Sequence, residues 1–152
     1  MTAALPSAGN LYLLVGYDGS PPATRALDVA VRLLAGRTGR IDVFYVAHPT
    51  AGEMMSPDAF AELHASFEEA ARELRVQAEE QLGDREVRWQ FEHSLGVVAD
   101  VLVNAAGQLQ AAHPGDNVVI VVGSSSHAIH RMVGSVAVSL ARHAPVPLMI
   151  VP

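Results

Sequence analysis

Three stretches of this 152-residue chain combine residue types that can do chemistry. Gly123-Ser124-Ser125-Ser126 follows the apolar run 118–122, and Gly134-Ser135 follows a few residues later. Glycine lets backbone N–H groups come close to an anion, and successive N–H groups can form a nest around it. Serine hydroxyls add donors. If Gly134-Ser135 opens a helix, its free N–H groups and dipole favour negative charge there as well. Arg131 stands between the two segments and can reach the same charge. The third stretch is Tyr17-Asp18-Gly19-Ser20, which places an acid directly after the apolar run 11–16. Such an acid can cap the turn, contact a ligand, or do both.

Other chemistries fit poorly. His127 and His130 are spaced to share a helical face, but no acid or third histidine lies near them in sequence, and zinc generally takes three or four protein ligands. A contact from either histidine to a ligand in the Gly/Ser loop is the better reading, and no metal site is expected. Ser124, Ser125 and Ser126 precede His127, yet the segment lacks the second glycine of a Gly-x-Ser-x-Gly nucleophile elbow. The chain has no cysteine, which excludes disulfides, thiolate zinc sites and cysteine nucleophiles. All ten of its basic residues are arginine, so a Schiff-base lysine and a Walker-type phosphate lysine are also excluded. A net charge of −6 with scattered arginines argues against nucleic acid as a partner. No apolar run approaches the roughly 20 residues of a membrane span. Residues 1–10 lack the charge and apolar core of a signal peptide, so a cytoplasmic protein is expected.

The elements that position these residues follow from periodicity. Residues 11–16 and 118–122 are continuous apolar runs and predict buried, central strands. Residues 41–46 and 148–151 predict two further strands. Residues 86–93 alternate, with Val87, Trp89 and Phe91 apolar, and predict an edge strand. Ser20 before Pro21-Pro22 predicts a helix start, with Leu27, Ala30, Val31 and Leu34 on its apolar face and Gly36 and Gly39 bracketing its stop. Ser56-Pro57-Asp58 opens a long helix with Phe60, Leu63, Phe67, Ala71, Leu74, Ala78 and Leu82 on one face. Its other face is charged and solvated, with Glu68 and Arg72 forming an i,i+4 pair. Gly96 opens a third helix carrying Val98, Leu102, Ala105, Ala106 and Leu109, and Gly134-Ser135 opens a fourth that runs to about His143. Phe60, Phe67, Trp89 and Phe91 are expected in the core, and Met54 and Met55 in a loop that either covers the pocket or is simply mobile.

Strands alternating with helices imply parallel pairing and right-handed crossovers. The fold class expected is α/β: a single flavodoxin-like, Rossmann-like doubly wound domain with a five-stranded parallel sheet, order 3-2-1-4-5, and helices on both faces. Residues 1–9 read as a flexible tail and 10–152 as the domain. In that order the first and fourth strands are neighbours at the topological switch point, which brings Asp18 beside the Gly/Ser loop.

Asp18-Gly19-Ser20 after the first strand resembles the opening of universal stress proteins. VVIVVGSSS, GSVA and the terminal APVPLMIVP resemble that family's last third. The resemblance implies a flavodoxin-like fold, a dimer and, in one branch, an adenine nucleotide held by Gly-x-x-Gly, a nine-residue spacer and Gly-Ser or Gly-Thr. Carried over by position, Asp18 would contact the nucleoside, and Val46 would hold adenine through its backbone; Tyr17, beside Asp18, is a further candidate nucleotide-binding residue. Gly123 matches the first motif glycine, and Gly134 and Ser135, followed by Val136, match the terminal pair that would hold phosphate; Ser124, Ser126 and Arg131 are candidates for the same phosphate by their own chemistry. Two departures stand out: Ser126 replaces the second motif glycine, and the spacer 127–133 has seven residues. Both would weaken a triphosphate or favour fewer phosphates, because a Cβ limits close approach and a short spacer tightens the loop.

The function expected is therefore a small stress-response protein that binds ATP, AMP or a similar adenine nucleotide, with the need for Mg2+ left open. It would act as a ligand-dependent regulator and at most as a slow ATPase. The alternative is a universal stress protein that does not bind nucleotide and acts as an interaction module through its dimer. A nucleotide-dependent enzyme with substrate residues in the loop 48–58 is a third, less supported reading. The apolar edge 148–151 is expected to pair with a second copy.

Overall fold

The computed structural model describes residues 9–49, 55–124 and 134–152. Its elements run β1 (Leu11–Gly16), α1 (Pro21–Leu34), β2 (Gly39–Ala47), α2 (Pro57–Leu82), β3 (Trp89–Leu95), α3 (Val98–Ala112), β4 (Asn117–Gly123), α4 (Ser135–His143) and β5 (Leu148–Val151). The five strands form one sheet in the order β3-β2-β1-β4-β5. Every adjacent pair is parallel. The expected α/β class and strand order are both observed.

Alternation along the strands builds two cores. Leu13 and Val15 of β1, Ile41 and Val43 of β2 and Val121 of β4 face α1 and α2. Tyr12 and Leu14, Phe44 and Val46, and Val118, Ile120 and Val122 face α3 and α4. The central strands are buried on both faces, as continuous apolar runs require. Ser20 and Ser56 cap α1 and α2, accepting from the Ala23 and Ala59 N–H groups at 3.3 and 3.2 Å. Each is followed by proline in the first turn. The missing proline N–H costs nothing there.

Several boundaries and contacts differ from expectation. β2 is longer than residues 41–46 at both ends, and β4 gains Asn117 and Gly123. β3 starts at Trp89, three residues after the position its alternation suggests, because 86–88 precede its first partner on β2. α3 starts at Val98, with Val97 as N-cap and Gly96 at φ +152° in the turn before it. Arg72 pairs with Glu69, and Glu68 turns instead toward His93, 3.1 Å away, and His64, 3.9 Å away. Phe60 is 58% exposed and lies outside the core, while Phe67, Ala71, Leu74, Ala78 and Leu82 on the same stripe are buried. The tail assignment for 1–8, Met54, Ser125, Ser126, His127, His130 and Arg131 fall outside the described residues.

Candidate functional site

A cleft of about 290 Å3 opens at the carboxyl end of the sheet, between the ends of β1, β2 and β4 and the starts of α1, α3 and α4. Its position is the switch point, where α1 covers one face of β1 and β4 and α3 covers the other. Phe44, Val46, Val98, Leu102 and Val122 give it an apolar floor. Asp18, Ser20, Ser124 and Ser135 stand among the polar residues that line it.

Backbone geometry explains how these residues converge. β1 ends at Gly16, and the Tyr17 N–H still donates to the Phe44 carbonyl at 2.9 Å, so the chain leaves the sheet only at Asp18. Asp18 then accepts from the Ser20 N–H at 3.0 Å, a local turn that leads into the Ser20 cap of α1. This exposed carboxylate therefore has the structural role foreseen for it and also lines the cleft. Tyr17 is different. It is 4% exposed and packs with the core beneath α1. Burial raises its pKa, against a hydrogen bond with Thr24 that lowers it and the Asp18 charge that raises it further, so the phenol is neutral at ordinary pH.

β4 delivers the second wall. A Cβ on Gly123 would lie 2.5 Å from the backbone carbon and oxygen of Pro22, closer than any real contact. Glycine is thus required by the approach of α1 to β4, whatever else this position does. The Ser124 N–H donates to the Val151 carbonyl at 2.7 Å, which ties the loop to β5 and leaves the hydroxyl as its remaining donor. Arg25 on α1 donates through Nε to the Pro152 carbonyl at 2.9 Å, so the end of β5 is fastened on both sides.

α4 forms the third wall. Gly134 is its N-cap and supplies no side-chain acceptor, and the first backbone bond of the helix runs from Val138 to Gly134 at 3.1 Å. The N–H groups of Ser135, Val136 and Ala137 therefore remain without helical partners, and all three residues line the cleft. A helix start of this kind attracts the negative end of a ligand. Only neutral donors and one carboxylate line the cleft among the described residues, so an anionic group sits better toward Ser124 and Ser135 than toward Asp18.

Of the residues singled out from sequence, the structure brings Tyr17, Asp18, Val46, Gly123, Ser124, Gly134, Ser135 and Val136 around one cavity. Ser126 and Arg131 lie outside the described residues. Phe44, Val98, Leu102, Pro22 and Ala23 also line it and were not anticipated. Phe44 had a usable signal, since it is two residues from Val46 and must share its face in a strand. Among the described residues, no group of three or more His, Asp or Glu side chains could hold a metal ion. No described helix is long and apolar enough to cross a membrane.

Comparison with solved structures gives the same architecture. The universal stress protein UspA from Lactobacillus plantarum superposes with a TM-score of 0.80 at 23% identity, covering 96% of this chain and 100% of that one. A universal stress protein solved in complex with cAMP matches at a TM-score of 0.64 and 21% identity over 95% of this chain and 99% of that one. A universal stress protein family member from Arabidopsis thaliana with AMP bound matches at 0.60 and 15%, covering 93% of this chain and 90% of that one. No curated protein matches the sequence. The model of the universal stress protein family matches residues 12–152, nearly the whole chain, and the chain therefore belongs to that family.

Proposed function

We propose that this protein binds an adenine nucleotide in the carboxyl-end cleft and acts as a cytoplasmic, ligand-dependent regulator, with 10–152 as the working unit. The observation that carries this reading is the polarity of the cleft, with a carboxylate at one wall, an apolar floor between, and hydroxyls with an open helix start at the other. Adenine would lie on the floor made by Phe44, Val46, Val98 and Leu102, with the Val46 backbone at its edge. Asp18 would accept from ribose hydroxyls, with Tyr17 behind it. Phosphate would lie against Gly123, Ser124, Gly134, Ser135 and Val136, with Ser126 and Arg131 completing that end. The relatives crystallised with cAMP and AMP support the ligand class.

The open cleft, about 290 Å3 between its described walls, is close to the lower end of the roughly 300–1,000 Å3 of ordinary ligand sites. The short spacer 127–133 favours a monophosphate over ATP with Mg2+. Turnover has little support in the chain, because it has no lysine to meet a γ-phosphate. Ligand binding would act instead through loop order and the partner surface. β5 is the natural partner surface: Leu148, Met149 and Ile150 are half-buried on an edge strand without charge, and pairing with a second copy would cover them. The same edge is what an interaction module without nucleotide would use.

Calorimetric titration of the purified protein with AMP, cAMP, ADP and ATP tests the proposal. Saturable binding near one per chain is expected, tightest for a monophosphate. Ligand at 100 times its dissociation constant should stabilise the fold by about 2.7 kcal/mol. Absence of both heat and thermal shift for all four nucleotides overturns the reading in favour of the module.

A further inference from the structure

The opposite end of the sheet holds a second cavity of different character. It measures about 240 Å3 and is lined by Asn10, Tyr12, Thr38, Gly39, Arg40 and Arg88. Its walls are mainly polar, and two of the chain's ten basic residues meet there although the net charge is −6.

Arg40 is held in place before any ligand arrives. Its Nε donates to Asp42 Oδ1 at 3.0 Å and one terminal nitrogen, Nη2, donates to Oδ2 at 3.3 Å. Its guanidinium carbon lies 5.4 Å from the Tyr12 ring centroid, and that ring stacks on His113 at 4.1 Å. A guanidinium has five N–H donors in a fixed fork. The Asp42 contacts use two, and no other hydrogen bond engages the rest among the described residues. Arg88 is anchored through its backbone, whose carbonyl accepts from the Ile41 N–H at 2.9 Å. Its exposed side chain makes no ion pair among the described residues.

Two carboxylates beside the cavity have partners. Asp42 faces Arg40. Asp116 accepts from the Asn10 N–H at 2.9 Å and lies 3.9 Å from His113. Asp42 and Asp116 stand behind the lining, and the cavity wall itself presents two guanidinium groups and no carboxylate. Arginine pairs, with neutral Asn, Thr and Tyr side chains beside them, suit an oxyanion with several acceptor oxygens.

We propose that this amino-end cavity is a second ligand site that takes a phosphoryl oxyanion, held between the pre-positioned Arg40 fork and Arg88. The site is independent of the carboxyl-end cleft and does not rest on nucleotide binding there. A dissociation constant on the order of 1 mM is expected, because two partly hydrated guanidinium contacts must compete with water.

The test is an amide NMR titration of the full chain at constant ionic strength with inorganic phosphate, O-phosphoserine and acetate. Saturating shifts at residues 38–40 and 88 are expected with phosphate. Arg88→Ala should weaken them at least tenfold, and Ser135→Ala, at the other end of the sheet, should leave them unchanged. Tighter binding of inorganic phosphate assigns the site to the free anion, and tighter binding of O-phosphoserine assigns it to a phosphoryl group carried on a larger molecule. Either result supports the proposal. No saturation at those amides by about 50 mM phosphate, some fifty times the expected constant, overturns it. So does an unchanged affinity in Arg88→Ala, or acetate binding as tightly as phosphate.

Discussion

The two ends of the sheet are built on opposite plans. At the carboxyl end the cleft is walled by backbone, small residues and a helix start, over an apolar floor. At the amino end the cavity is walled by polar side chains, of which Arg40 is held by ion pairing and stacking while Arg88 reaches in from the surface. The first plan makes packing and binding inseparable, since the residues that shape the cleft also join α1, β4 and α4. The second separates them, since Arg88 can be truncated without opening the core. A variant at the carboxyl end therefore needs a stability measurement beside every binding measurement, and one at the amino end needs it far less.

Gly123→Val should show the inseparability most strongly. The new side chain would begin 2.5 Å from the Pro22 backbone, and neither backbone segment can turn aside as a side chain would. Overpacking usually costs about 1–3 kcal/mol, and this clash belongs at the upper end. Urea unfolding should show a lower midpoint with the slope unchanged. A variant that keeps its stability and loses only ligand would break the comparison, because Gly123 would then serve the ligand alone.

How much of this was legible in the sequence depended on the same distinction. β5 was readable to the residue because its apolar run stops abruptly at turn formers. Asp18, Gly123 and Ser135 were readable as neighbours because strand alternation with helices fixes the topology, and topology fixes the switch point. The floor was harder. Val98 and Leu102 follow the helical stripe of α3, but which end of that stripe meets a cavity depends on where α3 crosses the sheet. Phe60 failed for a related reason. The 26 residues of α2 extend about 39 Å, while the nine of β2 extend about 30 Å. The stripe continues past the point where the sheet can cover it, and periodicity carries no signal of that length mismatch. The amino-end cavity was not foreseen because Asn10, Arg40 and Arg88 are far apart in sequence and share no motif.

A second prediction concerns Asp42, the one buried charged residue among those described. Burial raises its pKa above the ordinary 3.8, and the charge and hydrogen bonds of Arg40, with smaller help from Gln90 and His113, only partly offset this. A raised folded-state value means the folded protein holds the proton more tightly than the unfolded chain. The stability this gives is fully present below pH 3.8 and is lost as pH rises through the folded value. Asp42→Asn resembles the protonated acid and does not titrate. The two proteins should be similar in stability near pH 3.8, with the variant gaining on the parent as pH rises toward 7. Urea unfolding across that interval decides the matter. The opposite trend would mean that Arg40 more than repays the burial of Asp42, and that the amino end is held together as firmly as the carboxyl end.

The smallest effect is the most discriminating. Ser135 is the first residue of α4, but the N-cap is Gly134 and no side-chain hydrogen bond closes that helix. Its hydroxyl makes no hydrogen bond among the described residues, although it lines the cleft. Ser135→Ala should leave the unfolding midpoint within experimental scatter, since alanine is at least as good in a first turn as serine. If the hydroxyl donates to a bound phosphate, removing it costs about 1 kcal/mol of binding, or roughly fivefold in affinity. Ser135 is then the place at the carboxyl end where binding can be removed while packing is kept. Equal affinity for AMP in the variant and the parent would leave the helix N–H groups as the phosphate contacts of α4, and would make that wall of the cleft a backbone site throughout.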